Sequence, residues 1–162
     1  MAVILVVDDE PLQREILKTI LSEYGHETYT ASSGEEALKA ARRYNPEIIL
    51  TDLKMGGMDG IELMERIKSG DHHSEFIIMT AFGTVNSAVE ATKKGAFDYL
   101  TKPLDKDNVL LTVRHAAERV DLLRRNMELN EALCDRFRLG EIIGGSDAIQ
   151  EIVGIINKVS KS

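Results

Sequence analysis

The sequence predicts an α/β fold: a five-stranded parallel sheet, doubly wound, followed by a long helical coiled-coil linker. Three observations carry this. Five short apolar runs alternate with five stretches of helical periodicity, an order that yields parallel strands joined by right-handed crossovers with helices on both faces. The runs Val3–Val7 and Ile48–Leu50 are apolar at successive positions, as in strands that face a core on both sides. From Asn108 to about Phe137 there is neither Pro nor Gly, and a heptad pattern takes over.

The first strand, 3–7, runs directly into Asp8-Asp9-Glu10-Pro11. Pro11 suits the first turn of a helix, where its missing N–H costs nothing. That helix carries Leu12, Ile16, Leu17, Ile20 and Leu21 as an apolar face, with Gly25 as its stop. A short strand is expected near 27–31. Ser33 and Glu36 have the spacing of a capping box, with Ser33 as cap and Glu36 reaching back, ahead of a helix using Ala37, Leu38, Ala41 and Tyr44. The third strand, bounded by Pro46, ends at Asp52, and a glycine-rich turn follows. Asp59 opens a third helix through Met64 and Ile67 to Gly70. The fourth strand is 76–79, then Thr80-Ala81-Phe82-Gly83, then a helix with Val85, Ala88, Val89 and Thr92 that stops at Gly95. The fifth strand, 97–100, leads through Thr101-Lys102-Pro103-Leu104 to Asp105, a cap for the last helix.

That last helix extends past the domain. Val113, Val120, Met127 and Cys134 recur every seventh residue, with Ala116, Leu123, Asn130 and Phe137 three further on. This is an a/d pattern, and thirty helical residues would span about 45 Å. A dimeric coiled coil over 106–137 fits it, with Asn130 able to fix register; a single helix with one apolar stripe is the alternative. Gly140 and Gly144-Gly145 are expected to break the helix. A further amphipathic segment then carries Ile149, Ile152, Val153, Ile156 and Val159.

The composition sets limits. The 162 residues are 43% hydrophobic and 29% charged, as in an ordinary globular protein. No apolar run has the length of a membrane span, and the N-terminus lacks the basic region of a signal peptide. The single cysteine, Cys134, allows no internal disulfide and fits the cytoplasm. A net charge of -7 speaks against a generic nucleic-acid surface.

The polar residues of interest all fall at the carboxyl ends of strands: Asp8 and Asp9, Asp52, Thr80 and Lys102. In a parallel sheet those ends share one edge, where open α/β folds bind ligands. Each alone reads as a cap, a turn or a helix-start charge. Gathered together, three carboxylates repel one another, and a hard divalent cation such as Mg²⁺ relieves the repulsion. With a lysine and a hydroxyl beside them, a carboxylate nucleophile is equipped for phosphoryl transfer, which is mostly positioning and charge neutralisation.

With Val6-Val7-Asp8-Asp9-Glu10, Asp52 in its turn, Met79-Thr80-Ala81 and Gly95-Ala96-Phe97-Asp98-Tyr99-Leu100-Thr101-Lys102-Pro103, the chain resembles the receiver domain of bacterial two-component response regulators over about residues 1–121. The resemblance implies a flavodoxin-like receiver fold in which Asp52 accepts a phosphoryl group from a histidine kinase. It implies Mg²⁺ held by Asp9, Asp52 and the backbone carbonyl of Lys54, with Asp8 acting through water. Lys102 would bridge to the phosphoryl group, Thr80 would swing toward it, Tyr99 would move as Thr80 leaves space, and the Lys102–Pro103 bond would be cis. One departure is Gly56, where the family usually has Pro; adjacent glycines should leave the loop more mobile.

Residues 138–162, opening Arg138-Leu139-Gly140-Glu141-Ile142-Ile143-Gly144-Gly145-Ser146, resemble the junction at which sigma-54-dependent activators of the NtrC-like kind begin their AAA+ domain. The resemblance implies homodimerisation through the linker or the receiver, control of AAA+ assembly, and DNA and sigma-54 RNA polymerase as partners of domains outside this chain. No GxxxxGK[ST] phosphate loop occurs, so this stretch is not itself an ATPase. Two rivals come from other classes. A phosphohydrolase using Asp52 as turnover nucleophile lacks an acid two residues on, where Lys54 stands. A structural dimerisation module with a silent site would leave the Asp–Thr–Lys set without a purpose.

Overall fold

A computed structural model describes residues 1–70, 74–81 and 94–143, with side chains as far as residue 133. The helix expected around Val85–Thr92, with Phe82, lies outside the described residues, as does everything from Gly144 onward. The chain divides into two units, Met1–Asp121 and Leu122–Ser162.

In the first unit, β1 (Val3–Val7), β2 (Glu27–Ala31), β3 (Ile48–Asp52), β4 (Glu75–Thr80) and β5 (Asp98–Thr101) form one sheet in the order β2-β1-β3-β4-β5. Every pairing is parallel, in the doubly wound, flavodoxin-like order. The described helices are α1 (Pro11–Glu23), α2 (Gly34–Tyr44), α3 (Gly60–Lys68) and α4 (Lys106–Ile143). The fifth strand begins and ends one residue later than the sequence reading.

Strand pleating explains the core. Leu5, Val7, Ile49, Phe76 and Ile78 point to one face, under α2 and α3. Ile4, Val6, Ile48, Leu50, Ile77 and Met79 point to the other, under α1 and α4. A strand lined on both sides leaves little choice of register, because a one-residue slip exchanges its faces.

Helix ends follow local chemistry, with one correction. The Ser33 Oγ accepts from the Glu36 N–H at 3.2 Å, but the Glu36 carboxylate does not return to the Ser33 N–H as a capping box requires. It accepts from the N–H and hydroxyl of Ser32, both at 2.7 Å. Those bonds hold the exposed Glu36 carboxyl below its usual range. Asn45 ends α2 in the left-handed region, at φ 45°. Asp59 caps α3 through the Glu62 N–H at 2.7 Å, and Asp105 caps α4 through the Asn108 N–H at 3.0 Å.

The apolar face expected for α1 is corrected too. Leu17 and Leu21 are fully buried, whereas Leu12 and Ile16 are 66% and 44% exposed. At about 100° per residue, Leu12 and Ile16 form a second row turned well away from the sheet.

The heptad reading of α4 changes most. Val113 and Ala116 have no exposed surface and share one buried cluster with Val109, Val6, Leu50 and Met79, so they belong to the domain core and not to a linker seam. Val120 is half-buried, and Leu123 and Met127 are 46% and 48% exposed. Asn130 donates to the Asn126 side chain at 2.9 Å along its own helix. Gly140 does not break α4, which continues to Ile143. One interior glycine costs about 1 kcal/mol relative to Ala and need not stop a helix. The side chains of Cys134 and Phe137 lie outside the described set.

Burial separates the two groups of heptad residues experimentally. Val113→Ala should lower the unfolding free energy of the dilute protein by about 2 kcal/mol. Leu123→Ala should change it by less than about 0.5 kcal/mol. Urea unfolding measures both, and equal losses would contradict the assignment of Val113 to the core.

Candidate functional site

Strands β1, β3 and β4 end side by side, and the loop after β5 closes the same edge. β1 delivers Asp8 and Asp9, β3 ends on Asp52, β4 ends on Thr80, and Lys102 follows β5. Asp8 is fully buried, Asp52 is 9% exposed and Thr80 4%, while Asp9 faces solvent.

Lys102 holds two of the acids together. Its Nζ donates to Asp52 Oδ2 at 2.6 Å and to Asp8 Oδ2 at 2.8 Å. The second oxygens are tied to backbone: Asp8 Oδ1 accepts from the Glu10 N–H at 2.8 Å, and Asp52 Oδ1 from the Lys54 N–H at 3.3 Å. Burial by itself would lower the Lys102 pKa. The hydrogen bonds and charges of Asp52 and Asp8 outweigh it and hold the ammonium above its ordinary range.

Asp8, Asp9 and Asp52 each place a carboxylate oxygen within 4.8 Å of the others. Three hard, anionic oxygens this close fit a small divalent cation of the Mg²⁺ class. Tyr99 stands apart from this cluster. It pairs in register with Ile78, while Thr80 pairs with Thr101, and the residue is 39% exposed. The Lys102–Pro103 peptide is cis, and the Lys102 N–H donates to the Thr80 carbonyl at 2.8 Å.

Two features escape a reading of the sequence. The Arg14 guanidinium donates to the Asp8 carbonyl at 2.6 Å, tying α1 to the site. Its position one turn into α1 is the only hint. Gly60 opens α3 with no positive φ, so conformation does not call for glycine there. Space does: a methyl group on Gly60 would strike the Asp52 carbonyl oxygen and lie 3.2 Å from Thr51 Cγ2. A glycine at a helix start that already has an Asp cap is the available signal.

Residues 4–114 match the model of the response regulator receiver domain family. The chain is 36% identical over 162 residues to the DNA-binding transcriptional regulator NtrC of Escherichia coli K12, covering 99% of this chain and 33% of that protein. A response regulator receiver domain from Clostridium thermocellum superimposes with a TM-score of 0.71 at 34% identity, covering 76% of this chain and 99% of that one. NtrX from Brucella abortus, solved in complex with ATP, superimposes with a TM-score of 0.72 at 30% identity, over 98% of this chain and 34% of that one. The chain thus spans about a third of the length of the curated relatives it matches.

Lys102→Met would strand two buried carboxylates and should destabilise the metal-free protein by about 3 kcal/mol near neutral pH. A raised lysine pKa stabilises the fold fully below the unfolded value, and the effect is lost as pH climbs through the folded value. The gap between wild type and Lys102→Met should therefore stay level from about pH 7 to 9. It should shrink only above the ordinary lysine value of 10.5. Urea unfolding across that range checks it; a gap that closes by pH 9 would contradict it.

Proposed function

The chain belongs to the response regulator receiver family, and from that premise we propose that it is a phosphorylation-controlled switch with Asp52 as phosphoacceptor. One observation carries this reading: the Lys102 ammonium bridges Asp52 and Asp8, with Asp9 within carboxylate reach of both. A carboxylate nucleophile needs neighbours that tolerate the charge of an incoming phosphoryl group, and Lys102 is already in place.

In this reading an oxygen of Asp52 bonds to phosphorus as the P–N bond of a kinase phosphohistidine breaks and the imidazole departs. Asp9, Asp52 and the Lys54 carbonyl would hold Mg²⁺, with Asp8 assisting through water. When bound, the ion neutralises charge on the transferred oxygens. Lys102 would bridge to the phosphoryl group, and the Thr80 hydroxyl would swing toward it. Movement of Thr80 would open space for Tyr99, which starts exposed, and so redraw the Thr80/Tyr99 surface.

The regulators among the relatives favour a switch over a hydrolase, as does Lys54 where a hydrolase needs an acid. The similarity to NtrC and NtrX along nearly the whole chain favours a sigma-54-type activator. Its AAA+ domain would follow α4, the receiver would control ring assembly, and DNA and polymerase would be met by other domains. We place the protein in the cytoplasm; no described helix is long and apolar enough to cross a membrane. Dimerisation would use the exposed part of the heptad, Val120, Leu123, Met127 and Asn130, continuing to Cys134 and Phe137, without Val113 and Ala116.

A small phosphodonor with Mg²⁺ should add one phosphoryl group to the wild type and none to Asp52→Asn, read by intact-protein mass. Uptake by Asp52→Asn, or none by the wild type, would remove the acceptor assignment. Light scattering with Mg²⁺, before and after beryllium fluoride, should return twice the mass of the chain in at least one state. A monomer in both would end the coiled-coil proposal and leave the phosphoacceptor untouched.

A further inference from the structure

The loop from Leu53 to Asp59 carries the Lys54 carbonyl away from β3, and its backbone has little stiffness of its own. Gly56 has open space where a side chain would be, and Gly57 takes φ +93°. The end of the loop is fixed by Gly60, whose N–H donates to the Leu53 carbonyl at 3.0 Å. Just before that point the loop is held by Met58, which is 5% exposed and packs in the core beneath α2 and α3.

Met58 sits in a notch over Gly34, the first residue of α2. A methyl group on Gly34 would lie 2.7 Å from Met58 Cβ, 2.8 Å from its sulfur and 2.9 Å from Cγ. Gly34 has no left-handed φ, so the glycine is needed for space and not for conformation. The identity of the nearest atom decides the outcome. A methionine side chain can rotate its sulfur and Cγ aside. Its Cβ moves only with the backbone. Relieving a 2.7 Å carbon–carbon approach to an ordinary contact displaces residue 58 by about 1 Å.

We propose that Gly34 is a positioning residue for the acceptor site: lacking a side chain, it lets Met58 seat against the start of α2 and so fixes the loop that aims the Lys54 carbonyl. The inference rests on the phosphoacceptor reading above. It assigns α2, which contributes no group to the chemistry, a part in setting the geometry of the metal site. The start of α2 can serve because it is itself held, by the Ser33 cap and the paired Ser32–Glu36 bonds.

The test follows backbone amides and methionine methyls of the whole chain by NMR, in wild type, Gly34→Ala and Met58→Ala, first without metal and then through a Mg²⁺ titration. Urea unfolding without metal runs alongside. Gly34→Ala should move the Lys54 and Met58 amides before any metal is added. It should weaken Mg²⁺ about tenfold, as loss of an outer support does. Met58→Ala, which empties the notch without crowding it, should weaken Mg²⁺ in the same direction with α2 intact. Slow phosphoryl uptake in both should recover at saturating Mg²⁺. If Gly34→Ala fails to fold, Met58→Ala alone decides, and wild-type affinity in it overturns the proposal. So does wild-type Mg²⁺ affinity in a folded Gly34→Ala. A wild type that binds no Mg²⁺ overturns the phosphoacceptor reading. In that case an unshifted Lys54 amide in metal-free Gly34→Ala separately overturns the positioning role.

Discussion

The ion triad of Asp8, Lys102 and Asp52 is the constraint on which the rest of the structure depends. Two carboxylates, one fully buried and one nearly so, stand at the end of a sheet whose strands are otherwise apolar. Burying either acid without a counter-charge would be costly enough to disfavour the fold. One ammonium, fifty residues beyond the end of β3, answers both. The path of the chain from β5 into α4 is therefore part of the charge balance as much as of the topology. The backbone bonds from Glu10 and Lys54 to the remaining oxygens complete the arrangement and orient each carboxylate.

The sheet makes such a site possible by surrounding it with rigid material. β1, β3 and β4 are lined on both faces, so their register and the positions of their carboxyl ends are fixed together. The site needs flexibility only in its loops, and packing limits the loop after β3. Gly60 against the Asp52 carbonyl and Met58 over Gly34 restrain a segment whose glycines would otherwise let it wander. Gly56-Gly57 lie between Leu53, whose carbonyl accepts from the Gly60 N–H, and Met58 in its notch over Gly34.

What was legible in the sequence follows from what is local. An apolar run ending in a carboxylate is visible in one dimension, and strand alternation places several such ends on one edge, so Asp8, Asp9, Asp52, Thr80 and Lys102 could be found together. The errors came where a residue has two possible neighbours. Val113 and Ala116 satisfy a heptad and a sheet-packing stripe equally well, since the two periods diverge by only about 20° per heptad. Glu36 has the capping-box spacing, but Ser32 offers two donors one residue earlier. Leu12 and Ile16 match a helical period without facing the sheet. Gly34 and Gly60 were unreadable because each leaves room for a group from elsewhere in the chain, the Met58 side chain and the Asp52 carbonyl.

The two ends of α4 are stabilised by different means. Its first turns are capped by Asp105 and bury Val109, Val113 and Ala116. Arg119 adds an ion pair to the nearly buried Glu75 at 2.9 Å and lies 5.6 Å from the Phe97 ring centre. Tertiary packing of this kind supplies most of the stability of helices in proteins. From Leu122 onward the described side chains are exposed. Leu123 and Met127 lie on one side, Leu122, Leu129 and Leu133 on another, and Asn130 bonds to the Asn126 side chain along the helix. Packing of the kind that holds the first turns is not seen among the described side chains of this stretch. Two such rows also exceed what a single a/d seam would cover. Only three residues separate Lys102 from the first residue of α4, so the segment that balances charge at Asp52 also sets where that helix begins.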